Sequence, residues 1–306
     1  MSHPEPIPAR AAPSSGSAGV IHDIGYRTYV GRRLGRGYVL RSLYLNGVRS
    51  TFGLGRTARA KVLPLLLLVA TLLPAVIIVA IEVYAKADVQ PISYNRYAMI
   101  LIPVVAIFVA SQAPQLISRD LRFRTVTLYF SRPLTREDYV VAKFGALASA
   151  LFILLSGPIV ILAVGGVLAK FPLWEQTKNF ASAEVGAVAF ALLLTAVSAV
   201  LASGTTRRGL GVAVIITVLF VSYAGTVATQ GIAHFYGNDT LAGYLGLLSP
   251  FTMADGVQIA LVNAPTSTAA GPPETTGELV FVLVAAALVA GCFALLLRRY
   301  RKPGVL

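Results

Sequence analysis

The residues that could carry catalysis are few and scattered in this chain. Its three histidines, His3, His22 and His234, fall in predicted tails or loops, far apart in sequence and outside every long apolar stretch. The segment Gly204–Gly209 (GTTRRG) has two glycines but lacks the Lys-Ser/Thr pair of a phosphate-binding loop. The sequence therefore predicts no catalytic residue, no metal site and no cofactor in this chain, and no enzyme activity.

Three single acids keep one enzymatic alternative open. Asp88, Asp239 and Asp255 lie in loops on the same predicted side of the chain and could together hold a metal ion for a lipid-linked transferase. Single acids dispersed over loops are more often simply solvated. We therefore expect no metal at these positions.

Segment 118–143 has the most informative arrangement of charged and aromatic residues. Pro133 stops a helix, and Thr135 followed by Asp138 is a capping-box signature that starts another. Asp120 and Arg124 are spaced i,i+4 and can pair on one helix face. The pattern predicts a helix-turn-helix. A basic loop that only sets membrane topology is the plainer alternative, but it needs neither a capped helix nor interleaved acids, so we favour a docking element for a cytoplasmic partner.

The composition indicates that this segment is held by a membrane domain. Of 306 residues, 56% are hydrophobic and only 13% are charged, whereas a soluble domain carries about 25% charged residues. Six stretches reach the roughly 20 residues that span a bilayer. We predict an all-α integral membrane protein with about six transmembrane helices, at about 62–84, 97–117, 144–169, 183–203, 209–231 and 279–297.

The basic residues predict the orientation. Of the 26 Lys and Arg residues, 22 fall before span one, between spans two and three, between spans four and five, or after span six. The other side holds only Lys86, Arg96, Lys170 and Lys178. Cytoplasmic loops are enriched in Lys and Arg, so both termini are predicted to be cytoplasmic. This bias also accounts for the net charge of +13 without nucleic acid as a partner.

The parts outside the spans differ in character. Residues 1–36 are rich in Pro and Ser and predict a flexible cytoplasmic tail, and residues 37–61 predict an amphipathic helix in the membrane interface. The six-span domain then covers 62–302. Its outer loop, 232–278, contains the apolar stretches 245–248 and 257–262, which are too short to span and fit short amphipathic or re-entrant helices.

Segment 118–143 also resembles a known family. Arg124-Thr125, Leu128, Ser131–Leu134, Arg136, Tyr139 and Lys143 are similar in type and order to the loop of permease subunits of type 2 ABC exporters, and Leu248–Phe251 resembles their outer-loop Ser-Pro segment. The resemblance covers about residues 37–302. Ala142 departs from it, because a glycine commonly precedes the lysine.

The resemblance implies residue roles and partners. It implies that segment 118–143 is the main coupling element on an ATPase subunit and that Ser203–Gly209 is a smaller contact. The implied docking residues are Asp120, Arg122, Arg124, Arg132, Arg136, Glu137, Asp138 and Tyr139, with Arg207 and Arg208 in the second contact. It further implies a plasma-membrane exporter in which two permeases, copies or relatives, pair in the bilayer with separate ATPases that bind ATP and Mg²⁺.

Two alternatives and the cargo remain open from the sequence. The chain could be a scaffold or sensor subunit that holds another partner, or an ion-coupled secondary transporter.

Two polar helix faces could contact cargo or could only pack helices together: Phe108, Gln112 and Gln115 in span two, and Ser222, Thr226 and Thr229 in span five. Glu82 and Glu184 lie near span ends, where they are expected to reach the headgroups. We expect a hydrophobic or amphiphilic cargo.

Overall fold

The computed structural model describes residues 31, 34–85, 92–123, 129, 134–205 and 207–301. Within these ranges the protein is helical and contains no β-strand, which confirms the predicted all-α class. Among the described residues, six helical segments are long and apolar enough to cross a membrane, which confirms the predicted number of spans. Each corresponds to one of the six stretches predicted from the sequence.

The helices follow one another with short connections. The first half contains α1 Arg36–Thr51, α2 Ala58–Ala85, α3 Tyr94–Ile100, α4 Ile102–Ala113, a π-helical turn Pro114–Ser118 and α5 Arg119–Arg122. The second half contains α6 Arg136–Leu168, α7 Leu173–Gly204, α8 Arg208–Phe235, α9 Asp239–Leu245, a 3₁₀ turn Gly246–Leu248, α10 Pro250–Val262 and α11 Glu274–Arg301. Spans one to six are α2, the run from α4 to α5, α6, α7, α8 and α11.

Spans two and four form the centre of the bundle. In their most apolar stretches 72% and 61% of the residues are buried, compared with 22% in spans one and five and 17% in span six. The outer spans therefore keep apolar side chains such as Leu66, Val221 and Leu283 more than half exposed. In a bilayer these faces are available to lipid or to another membrane chain.

Span two changes its helical repeat where it approaches α5. Pro114 has no N–H and cannot complete the bond to the carbonyl four residues earlier. The helix widens there into a π turn over Pro114–Ser118, in which the N–H of Arg119 donates to the carbonyl of Pro114. A π turn inserts one extra residue into the α-helical repeat. This insertion sets the direction in which the α5 side chains project.

The predicted amphipathic helix is α1, and its buried face lies against α6. Leu43, Gly47 and Thr51 are its buried residues, and the hydroxyls of Tyr44 and Ser149 are hydrogen-bonded at 2.8 Å. The sequence pattern extended this helix to residue 61, but α1 ends at Thr51. Residues 58–61 already belong to α2, because the chain turns between the two helices.

The segment between spans five and six folds back on itself. The pair formed by residues 239–248 and α10 is bent by 119° at Ser249. The Ser249 hydroxyl accepts from the N–H of Phe251, and Pro250 occupies the first turn of α10, where its missing N–H does no harm. The Thr252 hydroxyl donates to the Gly246 carbonyl at 2.6 Å and fixes the bend. The short helices predicted within the outer loop are therefore present.

Close packing of α1 on α6 gives a prediction about stability. A Cβ at Gly47 would lie 2.6 Å from the Cβ of Ala146, whereas a Cβ at Gly37 meets nothing within 4 Å. Overpacking typically costs about 1–3 kcal/mol. We expect Gly47→Ala to lower the free energy of unfolding in detergent by about that amount. The matched variant Gly37→Ala should leave it unchanged or raise it by up to about 1 kcal/mol. Equal thermal midpoints for the two variants would contradict this packing.

Candidate functional site

The candidate site lies at one end of the bundle, which we call the basic end. It is formed by the start of α1, the turn after α1, α5, the start of α6, the start of α8 and the end of α11. Contacts among Arg36, Asp138, Glu137 and Arg301 join three of these elements directly. The described part of segment 118–143 therefore contacts residues that are more than 100 positions away in the sequence.

A buried ion pair lies at the centre of this end. The Lys143 ammonium is 2.7 Å from Oδ2 of Asp120, and the Tyr139 hydroxyl donates to the same oxygen at 2.7 Å. Each of the three residues is at least nine-tenths buried. Because an unpaired buried charge is costly, α5 and α6 are held in the one arrangement that keeps this pair together.

Aromatic rings surround this ion pair and connect it to the last span. The ring of Tyr139 lies 5.5 Å from that of Tyr129 and 5.3 Å from that of Tyr300, centroid to centroid. The Lys143 ammonium lies 5.5 Å from the Tyr139 centroid and 6.0 Å from the Tyr129 centroid, within cation–π range. The start of α6, the middle of segment 118–143 and the end of α11 therefore form one packed unit.

The predicted capping box at the start of α6 is confirmed. The Thr135 hydroxyl accepts from the N–H of Asp138 at 3.2 Å, and Oδ2 of Asp138 accepts from the N–H of Thr135 at 3.0 Å. The Arg36 guanidinium also binds Asp138 with two bonds, Nε to Oδ2 at 2.6 Å and Nη2 to Oδ1 at 2.7 Å. The cap therefore anchors the start of α1 as well as that of α6.

The surface of the same unit carries an exposed pair. Glu137 accepts from Nη2 of Arg301 at 2.6 Å, and both side chains are about 60% exposed. Arg136 donates to the Arg301 carbonyl at 3.0 Å. Phe123, at the end of α5, is 63% exposed, and the Arg122 guanidinium lies 5.6 Å from its ring centroid. These groups face outward, above the buried ion pair.

A small cavity lies beside this unit. It has a volume of about 210 Å³ and is lined by four arginines, Arg56, Arg119, Arg122 and Arg208, together with other residues of α5 and the preceding turn. Arg208 is the first residue of α8, and Arg207 precedes it in an exposed position. The short connection between spans four and five therefore meets segment 118–143 at this cavity.

A comparison with protein families identifies the family of the chain. The family model described as ABC-2 family transporter protein matches residues 33–303. The chain belongs to this family. A search of curated protein sequences gives no match.

Membership in the ABC-2 family determines the broad role of the chain. It is a permease of an ABC transporter, a membrane transport component and a multi-pass protein of the plasma membrane. The family implies assembly with ATPase subunits. It therefore favours the permease over the secondary-transporter alternative.

The structure places the predicted docking residues of this permease in different environments. Asp120, Asp138 and Tyr139 are buried in contacts within the chain, Arg136 is half-buried, and Arg122 and Glu137 are exposed. Asp120 pairs with Lys143. The expected partner of Asp120, Arg124, lies outside the described residues, as do Arg132, Asp88 and most of the predicted tail. The direct docking role of these residues stays a prediction.

Several residues of this unit were not among the candidates from the sequence. Lys143 was noted only as part of the family-like pattern, and Arg36, Tyr300 and Arg301 carried no local signal. Phe123 could have been noticed as an aromatic residue beside Arg122 in a polar segment. The others meet segment 118–143 only through the tertiary fold.

The two predicted cargo-contact sets of the permease are largely engaged within the chain. Phe108 and Gln112 are buried, and Gln115 donates to the Ser50 carbonyl at 3.5 Å. In α8 the hydroxyls of Ser222, Thr226 and Thr229 each donate to a carbonyl of their own helix. In a single chain these contacts fit the packing interpretation, and cargo contact remains a hypothesis.

One of the two acidic residues near span ends lies in an environment that its position does not predict. Glu82 in span one is 1% exposed, and neither carboxyl oxygen has a hydrogen-bond partner among the described residues. Glu184 in span four accepts from the Ser156 hydroxyl at 2.7 Å. The expectation that both would reach the headgroups is wrong for Glu82, because that side chain points into the protein.

The buried ion pair of the permease gives a second prediction. Lys143→Met leaves the Asp120 carboxylate buried without its ammonium partner, so we expect a loss of about 3–5 kcal/mol in unfolding free energy. Adding Asp120→Asn should recover part of this loss. The matched variant Arg301→Met breaks only the exposed pair with Glu137 and should cost less than about 1 kcal/mol. Thermal unfolding in detergent measures all three, and equal losses for Lys143→Met and Arg301→Met would contradict a buried pair.

Proposed function

We propose that this permease is the membrane subunit of an ATP-driven ABC exporter and that its basic end docks a separate ATPase. The observation that carries the proposal is the packed unit around Asp120, Tyr139 and Lys143. This unit ties segment 118–143 to spans three and six, while Arg122, Phe123 and Glu137 remain exposed on its surface. Such an arrangement suits a docking element that must transmit force.

The orientation follows from charge in this proposal. The basic end contains the starts of α1, α6 and α8 and the end of α11, which are the regions richest in Arg and Lys. Positively charged loops are retained in the cytoplasm. The basic end therefore faces the cytoplasm, where ATP is present, and α9 and α10 face outward.

The docking surface centres on the exposed end of α5. An exposed aromatic side chain beside an arginine is the composition found at the energetic centres of protein interfaces. Phe123 and Arg122 provide this pair, and the exposed Glu137 lies on the same packed unit. The buried residues Asp120, Asp138 and Tyr139 then position the surface without touching the ATPase.

In this account the movement of a docked ATPase reaches the spans through α6. This helix has 33 residues from Arg136 to Leu168, about 50 Å at 1.5 Å per residue, and crosses the membrane as one element. A displacement of its capped start is therefore passed along the same helix into span three. Closure of the ATPase on ATP would favour one of two arrangements of the spans, because nucleotide binds them differently.

A second permease, copy or relative, completes the transporter in this proposal. The outer spans present apolar faces that one chain leaves uncovered, including much of span five. The cargo is hydrophobic or amphiphilic. In support, an apolar groove of about 680 Å³ lies between spans three, four and six and α10, lined by residues such as Phe144, Leu192 and Val289.

The orientation can be tested with single cysteines in a Cys292→Ser background. Asn179 and Asn238 are exposed at the end opposite the basic end, and Thr57 and Thr135 are exposed at the basic end. An impermeant thiol reagent added to intact cells should label cysteines at Asn179 and Asn238 and spare those at Thr57 and Thr135. Labelling of Thr135 from outside would place the docking surface on the wrong side of the membrane.

Docking can be tested by pull-down of the tagged permease from detergent. Arg122→Ala/Phe123→Ala should reduce recovery of the ATP-hydrolysing subunit at least about tenfold, because residues at an interface centre each contribute 2 kcal/mol or more. The matched control Arg41→Ala/Leu45→Ala removes an exposed arginine and an exposed apolar side chain from α1. Equal recovery with both variants, at equal expression, would contradict docking at α5 and favour a scaffold role.

A further inference from the structure

The four-arginine cavity concentrates positive charge in a small space. Arg56, Arg119, Arg122 and Arg208 line it, and the described residues of its lining include no carboxylate. Within the described ranges none of these four guanidiniums forms an ion pair. Asp120, whose charge also acts on Arg56, is already bound to Lys143 and Tyr139. We call this site the arginine cavity.

The fold holds these like charges together by close packing. Arg119 and Arg122 lie on α5, directly after the π turn, and Arg208 begins α8. A Cβ at Gly211 would lie 3.0 Å from Cγ of Pro114, so glycine allows α8 to approach the turn. The Ser118 hydroxyl donates to the Ala202 carbonyl at 2.5 Å and joins the same turn to α7.

This proximity has an electrostatic cost. Burial, followed by the positive charges of Arg119 and Arg208, lowers the pKa of the Arg56 guanidinium from its ordinary value. Like charges held together destabilise the ionised forms of one another. In addition, the N-terminus of α8 has no side-chain cap, and its backbone N–H groups add partial positive charge at this corner. A bound anion would relieve this repulsion.

The space matches a small anion with a polar extension. The arginine cavity, at about 210 Å³, is smaller than the roughly 300–1,000 Å³ of drug-sized ligand sites. A second, polar cavity of about 610 Å³ shares Arg56, Gln115 and Arg119 with it and extends towards the ion pair of Lys143 and Asp120, which also line it. An anionic group can occupy the first cavity while the group to which it is attached continues into the second.

We propose that the arginine cavity binds a phosphate group. Guanidinium groups present paired N–H donors that match phosphate oxygens, and four of them can neutralise a doubly charged phosphate monoester. The phosphate can belong to a lipid headgroup at the membrane surface or to a free anion. This inference depends neither on the direction of transport nor on docking of an ATPase.

The test uses the purified full-length chain in neutral detergent at constant ionic strength. The probes are dioctanoyl phosphatidate, inorganic phosphate and dioctanoylglycerol, which lacks the phosphate. A ligand that binds the folded state raises the thermal midpoint further as its concentration increases, with the logarithmic dependence that gives its affinity. At least one of the two phosphate probes should do so, and dioctanoylglycerol should not. Inorganic phosphate acting alone identifies a free-anion site, whereas phosphatidate acting alone identifies a lipid headgroup site.

Matched variants locate the binding. Arg119→Gln/Arg208→Gln should weaken the affinity for the active probe at least about tenfold, because charge-assisted bonds are lost. Arg41→Gln/Arg49→Gln removes the same charge from the exposed face of α1 and should change affinity less than twofold. The proposal is overturned if no phosphate probe binds the wild type, or if both variants weaken binding alike. It is also overturned if the cavity variant loses only ATPase capture, because the arginines then serve a protein partner.

Discussion

The structure of the basic end depends on the buried carboxylate of Asp120. A charged side chain removed from water must be paired, and Asp120 has Lys143 and Tyr139 as its partners. This requirement holds α5 against α6 and brings Tyr129 and Tyr300 around the pair. The end of span six and the loop between spans two and three are therefore parts of one unit.

That constraint separates two kinds of residue within segment 118–143. The residues that satisfy the constraint, Asp120 and Tyr139, are buried in contacts within the chain. The exposed ones, Arg122, Phe123 and Glu137, are available to a partner. A docking element needs a well-packed interior beneath its exposed surface. A flexible loop would deform when the ATPase moves and would not pass the displacement on to the spans. The arginine cavity lies next to this surface and shares Arg122 and Phe123 with it.

Features set by local sequence could be predicted, and features set by tertiary contacts could not. The six spans follow from length and hydropathy, and the Thr135–Asp138 capping box follows from a four-residue pattern. The partners of Asp138 and Glu137, Arg36 and Arg301, lie more than 100 residues away in the sequence. Local spacing favours Arg124 as the partner of Asp120, because within one helix only residues three or four apart can pair.

Burial was also difficult to infer from position alone. Glu82 lies near the end of a predicted span, but its side chain points into the protein. The pattern for α1 gave an amphipathic helix and could not show that Gly47 packs against Ala146. In each case the environment of the residue is set by the helix that packs against it. Local spacing in the sequence does not show which helix that is.

The central claim is that the exposed end of α5 meets an ATPase. The most direct measurement is photocrosslinking in intact cells, with a photoreactive amino acid in place of Phe123 and, separately, in place of Leu45 on α1. The account predicts an adduct between the Phe123 position and an ATP-hydrolysing subunit, and little or none from Leu45. An adduct from Leu45 alone, or no ATPase adduct from either position at normal expression, would contradict it.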